Sequence, residues 1–264
     1  MNLRAVILIK IIAALFFNIN AFAKEPLIEN VIISPMSTSQ YLYNYYENDK
    51  DIVKKQVTDE KGFERTYYLY PAVESAKNKA KPLIILLHGS NRSGISMIDM
   101  WRNVANNHGV ILVAPNSYDP QNWKQPKDNA KIIQLVIKEA EKNYNIDKKR
   151  IYLFGHSSGA IFALSVGAQL SKDLAAIGVH AGMFMNSDDS KVLASAKRKI
   201  PYTIFVGMSD DLFPVDKVRK TAQSLQNAGF PVELNLIKYH DHWYYNLAPF
   251  INEKAWEFFE KNKY

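Results

Sequence analysis

Ser157 stands at the centre of Gly155-His156-Ser157-Ser158-Gly159, a Gly-x-Ser-x-Gly string between the apolar run Ile151–Phe154 and a small-residue helical pattern that starts at Ala160. A strand that turns this sharply into a helix holds the serine in a strained backbone conformation and lifts its hydroxyl above the sheet. The same corner places it at a helix N-terminus, where free N–H groups and the dipole favour developing negative charge. The flanking glycines have no side chains to collide across the bend. A serine hydroxyl is a poor nucleophile at its own pKa and needs a base within hydrogen-bond reach. Two histidines, His240 and His242, follow late in the chain, and the carboxylates Asp210, Asp211 and Asp216 precede them. Ser157, Asp210 and His242 come in the order nucleophile, acid, base, which belongs to one hydrolase fold and to no other serine-protease fold. The chemistry this predicts is acyl transfer through a covalent serine ester, with histidine as the proton carrier and aspartate holding its tautomer. His240-Asp241-His242 also sets two imidazoles on alternate positions, but no third spaced ligand accompanies them and no metal is expected.

Such groups require elements that bring them to one edge. Arg65–Tyr70 has strand chemistry, and Pro82–Leu87 is a continuous apolar run of the kind covered on both faces, ending in His88-Gly89-Ser90-Asn91. Ser96–Asn107 reads as a helix and Val110–Ala114 as the next strand. A loop rich in proline and asparagine carries Trp123, and Asp128 is the expected N-cap of a helix with Ile132, Ile133, Val136, Ile137 and Ala140 on its apolar face. Asp147 and Arg150 suit a turn and strand start before Ile151. Ala175–Val179 and Tyr202–Val206 are further strands, ending at His180 and Gly207. Asp216–Asn227 is a helix, Val232–Ile237 alternates like an outer strand, and Asn252–Lys261 is the terminal helix. Buried strands alternating with helices describe an α/β fold, a mostly parallel central sheet with helices on both faces. No segment between Gly182 and Tyr202 is long enough for a large cap domain. In such sheets active groups lie beyond the carboxyl ends of the strands, where His88-Gly89-Ser90, Ser157, Asp210 and His242 all fall.

The chain has 264 residues, 47% of them hydrophobic, and no cysteine, which excludes a disulfide framework, a thiol nucleophile and a cysteine-based zinc site. Residues 1–23 read as a secretory signal peptide: Arg4 and Lys10, an apolar run Ile11–Phe17, and Ala21-Phe22-Ala23 before the cleavage point. The run is too short to span a bilayer. Residues 24–264 are expected to form one domain, exported to the periplasm or beyond, with 24–64 an extension of uncertain structure. Tyr41, Tyr43, Tyr45 and Tyr46 within it form an aromatic cluster suited to packing. The net charge is +7, but the lysines are scattered, and no nucleic-acid surface is expected.

Leu86-Leu87-His88-Gly89, Asn145-Ile146-Asp147-Lys148-Lys149-Arg150-Ile151-Tyr152, Gly155-His156-Ser157-Ser158-Gly159-Ala160 and Gly207-Met208-Ser209-Asp210 together resemble the α/β-hydrolase family. More narrowly they are similar to exported esterases of the polyhydroxybutyrate depolymerase and feruloyl esterase group. The resemblance runs from about Arg65 to the C-terminus. It implies Ser157 as nucleophile, Asp210 rather than Asp211 as acid, from the Gly207-x-x-Asp210 turn, and His242 rather than His240 as base, from the aromatics after it. The backbone N–H groups of Ser90 and Ser158 are the expected oxyanion donors. Ser90-Asn91 replaces the His-Gly-Cys-Thr-Gln wording common in depolymerases, which argues against a polymer-specific enzyme. Trp123, Trp243 and Tyr244 are candidates for a substrate-facing wall, and His156 and His180 for packing. The expected activity is hydrolysis of small or polymeric carboxylic esters without a cofactor. A peptidase, an acyltransferase and a non-catalytic binding protein on the same scaffold are the alternatives.

Overall fold

A computed structural model describes residues 27–35, 51–71, 79–185 and 187–264. The expected signal peptide and the tyrosine cluster at 41–46 lie outside the described residues. Nine strands form one sheet: β1 (Ile28–Ile33), β2 (Val53–Thr58), β3 (Glu64–Tyr70), β4 (Lys81–Leu87), β5 (Ile111–Pro115), β6 (Ile146–His156), β7 (Ala176–His180), β8 (Tyr202–Gly207) and β9 (Val232–Lys238). Among the described residues five α-helices accompany it: α1 (Gly94–His108), α2 (Ala130–Asn143), α3 (Ser158–Gly167), α4 (Val215–Asn227) and α5 (Tyr244–Lys261). The sheet order is β1-β9-β8-β7-β6-β4-β5-β3-β2. Strands β2 and β3 pair antiparallel, as do β3 and β5, and every other pairing is parallel. Among the described residues, a 3-10 segment, Ser187–Ser195, lies between β7 and β8.

The continuous apolar runs are explained by a core on each face. Along β4, Leu83, Ile85 and Leu87 pack with the side of α2, α3 and α4, while Ile84 and Leu86 pack with α1 and α5. β6 divides in the same way, Ile151 and Leu153 to one face, Tyr152 and Phe154 to the other. This is the alternation of side chains that a strand imposes, with both faces covered.

Four details depart from the sequence expectations. First, β9 is not the outer strand, because β1 runs parallel beside it from Ile28↔Glu233 to Ile33↔Lys238. The extension before Arg65 thus supplies both edges of the sheet. Second, the side chain that caps α2 is Asn129, which accepts from the Lys131 amide at 2.9 Å. Asp128 is turned inward instead, accepting from the amides of Tyr118 (2.9 Å) and Lys124 (2.8 Å) and facing buried Arg65 at 3.4 Å. Third, α5 begins at Tyr244, two turns before Asn252, and carries Pro249 within it. Fourth, β6 begins at Ile146, so Asp147 and Arg150 lie on the strand, paired at 2.6 Å. A proline inside a helix costs one of its hydrogen bonds, and Pro249 lies within α5. Burial compensates: Tyr244, Tyr245, Leu247, Ala248 and Ile251 all join the core.

Candidate functional site

The corner between β6 and α3 has the geometry its sequence calls for. Ser157 takes φ 53° and ψ −119°, a left-handed backbone that costs a non-glycine residue strain. Its backbone N–H is held by the carbonyl of His180 at 3.0 Å. Two glycines make the bend possible. A Cβ on Gly159 would come to 2.3 Å from the carbonyl oxygen of Leu87, and one on Gly155 to 2.4 Å from that of Gly159. The elbow helix therefore packs backbone to backbone against the end of β4.

Three polymer-distant groups meet at this corner. His242 Nε2 lies 3.1 Å from Ser157 Oγ, and His242 Nδ1 lies 2.9 Å from Asp210 Oδ2. Asp210 Oδ1 accepts from the amides of Leu212 (2.9 Å) and Phe213 (2.8 Å), so the carboxylate cannot rotate away. Burial pushes the Asp210 carboxyl up, but the bonds from His242 and from the two amides outweigh it and hold it below the ordinary carboxylate range. The ring of Phe213 stacks on that of His242, 5.3 Å between centroids and 9° between planes. With Asp210 accepting at Nδ1, the proton of a neutral His242 sits there and Nε2 is left to accept from the serine hydroxyl.

The other candidates fall elsewhere. Asp211 is exposed and Asp216 lies in the first turn of α4. His240 is turned inward, its Nε2 3.0 Å from His180 Nε2, and His180 Nδ1 is 3.0 Å from His156 Nδ1. The three imidazoles form a buried chain behind His242, and burial drives His156 and His180 well below the ordinary imidazole value of 6.5 and His240 below it. They are neutral at pH 7.

Ser90 and Ser158 flank the corner. Ser158 opens α3, and a first helical N–H has no intrahelical acceptor. The loop bearing Ser90 lies close, since a Cβ on Gly89 would sit 3.5 Å from that of Ser157. His88, buried at the base of this loop, donates from Nδ1 to the Gly89 carbonyl (2.8 Å) and accepts from the Ser117 amide at Nε2 (3.0 Å). Burial lowers its pKa to about 4, which keeps it neutral in this role.

Of the three proposed wall residues, Trp123 is almost wholly buried. Its indole N–H donates to the His88 carbonyl at 2.9 Å and its ring stacks on Phe162 at 4.8 Å. It braces the loop from behind. Tyr244 is a correction: it has no exposed surface, its hydroxyl donates to Asn252 Oδ1 at 2.6 Å, and its ring underlies His156. It cannot face a substrate. Trp243 keeps 38% of its surface exposed beside His242. The sequence reading missed the bracing by His88 and the buried histidine chain. A signal existed, because His88, His156, His180 and His240 each stand at or just past the carboxyl end of a parallel strand.

The fold and the arrangement of its strand ends are those of α/β hydrolases. Residues 119–252, about half of the chain, match the model of the phospholipase/carboxylesterase family, and the chain belongs to that family. It is 27% identical over 169 residues to a bifunctional acetylxylan esterase/xylanase of Neocallimastix patriciarum, covering 60% of this chain and 23% of the relative. It is 25% identical over 142 residues to a poly(3-hydroxybutyrate) depolymerase of Ralstonia pickettii, covering 44% of this chain and 28% of that one. The chain thus spans about a quarter of the curated relatives it matches. A thermostable esterase of known structure superposes with a TM-score of 0.60 over 81% of this chain and 64% of its own, at 21% identity, a likeness of fold. Among the described residues no helix is long and apolar enough to cross a membrane.

Proposed function

We propose that this protein is an exported serine esterase that hydrolyses carboxylic esters through an acyl-enzyme. The observation that carries the reading is the relay Ser157–His242–Asp210 at 3.1 and 2.9 Å, at the N-terminus of α3. His242 Nε2 takes the hydroxyl proton as Ser157 Oγ attacks the ester carbonyl, then returns that proton to the departing alcohol. Asp210 holds the Nδ1–H tautomer and stabilises the imidazolium. The N–H groups of Ser158 and Ser90 receive the oxyanion. Water, deprotonated by His242 in turn, releases the acid and restores Ser157. Each step uses side chains and backbone of this chain and water alone. The relatives named for acetylxylan and poly(3-hydroxybutyrate) support ester substrates, small or polymeric. Residues 1–23 supply export to the periplasm or the medium.

The test is hydrolysis of a 4-nitrophenyl ester panel by the mature protein beside Ser157→Ala. Turnover in the parent and a loss on the order of 10⁶-fold in the variant is the expected result. An active Ser157→Ala protein, or a parent that neither turns over esters nor reacts with a fluorophosphonate, rejects the reading.

A further inference from the structure

Arg92 lies two residues beyond Ser90, on the loop that faces Ser157. Its guanidinium carbon sits 5.3 Å from the ring centre of Trp243 and 5.2 Å from that of Tyr245. Both rings belong to the segment that His242 opens. Tyr245 in turn meets the ring of His156 edge-on at 5.9 Å, and His156 meets that of His242 at 5.2 Å. Arg92 is close enough for its charge to weigh on His156. The guanidinium therefore bridges the loop after β4 and the segment that follows His242, with exposed Asn91 and Trp243 beside it.

The other described arginines are all occupied. Arg65 faces Asp128, Arg102 faces Asp99, Arg150 faces Asp147 and Arg219 faces Glu29, while Arg198 donates to the carbonyls of Ser171 and Leu174. Among the described residues Arg92 has no carboxylate or carbonyl partner, only the two ring faces. Aromatic faces steady a guanidinium plane without consuming its N–H groups. What remains is a fork of donors without an acceptor, on the loop that carries Ser90 and in contact with the segment after His242. That fork matches a carboxylate in geometry and charge.

We propose that Arg92 is a specificity-determining residue that binds a free carboxylate on the substrate, so that the preferred substrates are esters carrying an acid group a few bonds from the scissile carbonyl. This rests on the esterase reading above. The carboxylate belongs either to the acyl part, as in a half-ester of a dicarboxylic acid, or to the alcohol part, as in an ester of a hydroxy acid. The chemistry of recognition is the same for both.

Two substrate pairs separate these sources. 4-Nitrophenyl hemisuccinate against 4-nitrophenyl butyrate places the charge on the acyl side, and 3-carboxyphenyl acetate against phenyl acetate places it on the leaving group. The quantity measured is the ratio of kcat/KM for the charged and neutral member of each pair. In the parent protein, at least one ratio should exceed about tenfold, as expected for a charge-assisted hydrogen bond, and should fall as salt is raised. In Arg92→Gln that ratio should collapse toward one, with the loss mainly in KM, and Arg92→Lys should restore part of it. Ratios near one for both pairs in the parent overturn the proposal without any variant, as does a ratio that survives Arg92→Gln. Those outcomes leave neutral-ester turnover in place, whereas absence of all turnover in the parent defeats the esterase reading and this proposal together.

Discussion

Asp210 divides its two oxygens between His242 and the amides of Leu212 and Phe213. An asparagine there would keep the shape and reverse the hydrogen bond. Its amide N–H would favour a bare Nδ1, and the imidazole proton would move to Nε2, facing Ser157. Asp210→Asn is expected to retain its fold and lose roughly 10⁴-fold in kcat, measured on a neutral ester with circular dichroism as the control. A variant with more than a tenth of parental activity would remove Asp210 from the proposed relay. At this scale the sequence was most informative where chemistry is local. Ser157 and its glycines are neighbours in the chain, so one string displays them. The two histidines could not be separated by strand alternation, because β9 ends at Lys238 and Tyr239 takes φ 62°. The left-handed turn breaks the two-residue period, sending His240 inward to His180 while His242 faces the serine.

Elements, in turn, are held by groups that take no part in chemistry. The loop between β5 and α2 is anchored by Asp128, whose side chain, like that of Arg65, is all but inaccessible. Burial comes first in both shifts: it raises Asp128 and lowers Arg65, so each charge is costly without the other. Removing one partner of a buried pair strands the other. Asp128→Ala should therefore destabilise the protein by about 3 kcal/mol, read as a lowered urea midpoint, and should loosen the Trp123 brace on the His88 carbonyl. Asp128 looked like a helix cap because aspartate before an apolar helical pattern usually is one. Asn129, one position later, takes the cap, because the amides of Tyr118 and Lys124 and buried Arg65 hold Asp128 turned inward. Gly159 offers a second test. An added Cβ would meet the Leu87 and His88 carbonyl oxygens at 2.3 and 2.7 Å, so the elbow must shift from β4. Displacements near 1 Å at a reacting group cost about 10²-fold, and Gly159→Ala is expected to lose at least that in kcat/KM. Parental activity in that variant would contradict the tight approach.

For the molecule as a whole, the buried histidines set its response to acid. His88 is lowered to about 4, His156 and His180 well below 6.5 and His240 below it, all chiefly through burial. A lowered imidazole pKa means the unfolded chain binds protons first. The stability these groups contribute is complete above about pH 6.5 and is lost as pH falls below it, down to about 4 for His88. By pH 5.5 each fully buried histidine should have cost about 1 kcal/mol, and urea midpoints at pH 7.5 and 5.5 would show it. Equal midpoints would mean that the chain is rebuilt on protonation or is solvated. The layered α/β architecture was legible because parallel strands buried on both faces leave unbroken apolar runs. The sheet edges were not, because β1 and β2 are half-exposed and carry no such run.

The pairing of β1 with β9 has a consequence for how the molecule comes into being. Asn30 hydrogen-bonds Glu233 and Asn235, partners 203 and 205 positions downstream, and Arg219 clasps Glu29 with both arms of its guanidinium. A growing polypeptide releases this first strand from the ribosome long before its neighbour is synthesised. The seam stays open until β9 has been made, so this pairing is non-local and its closure is slow. A nascent chain stalled before Val232 would lack the strand that β1 pairs with.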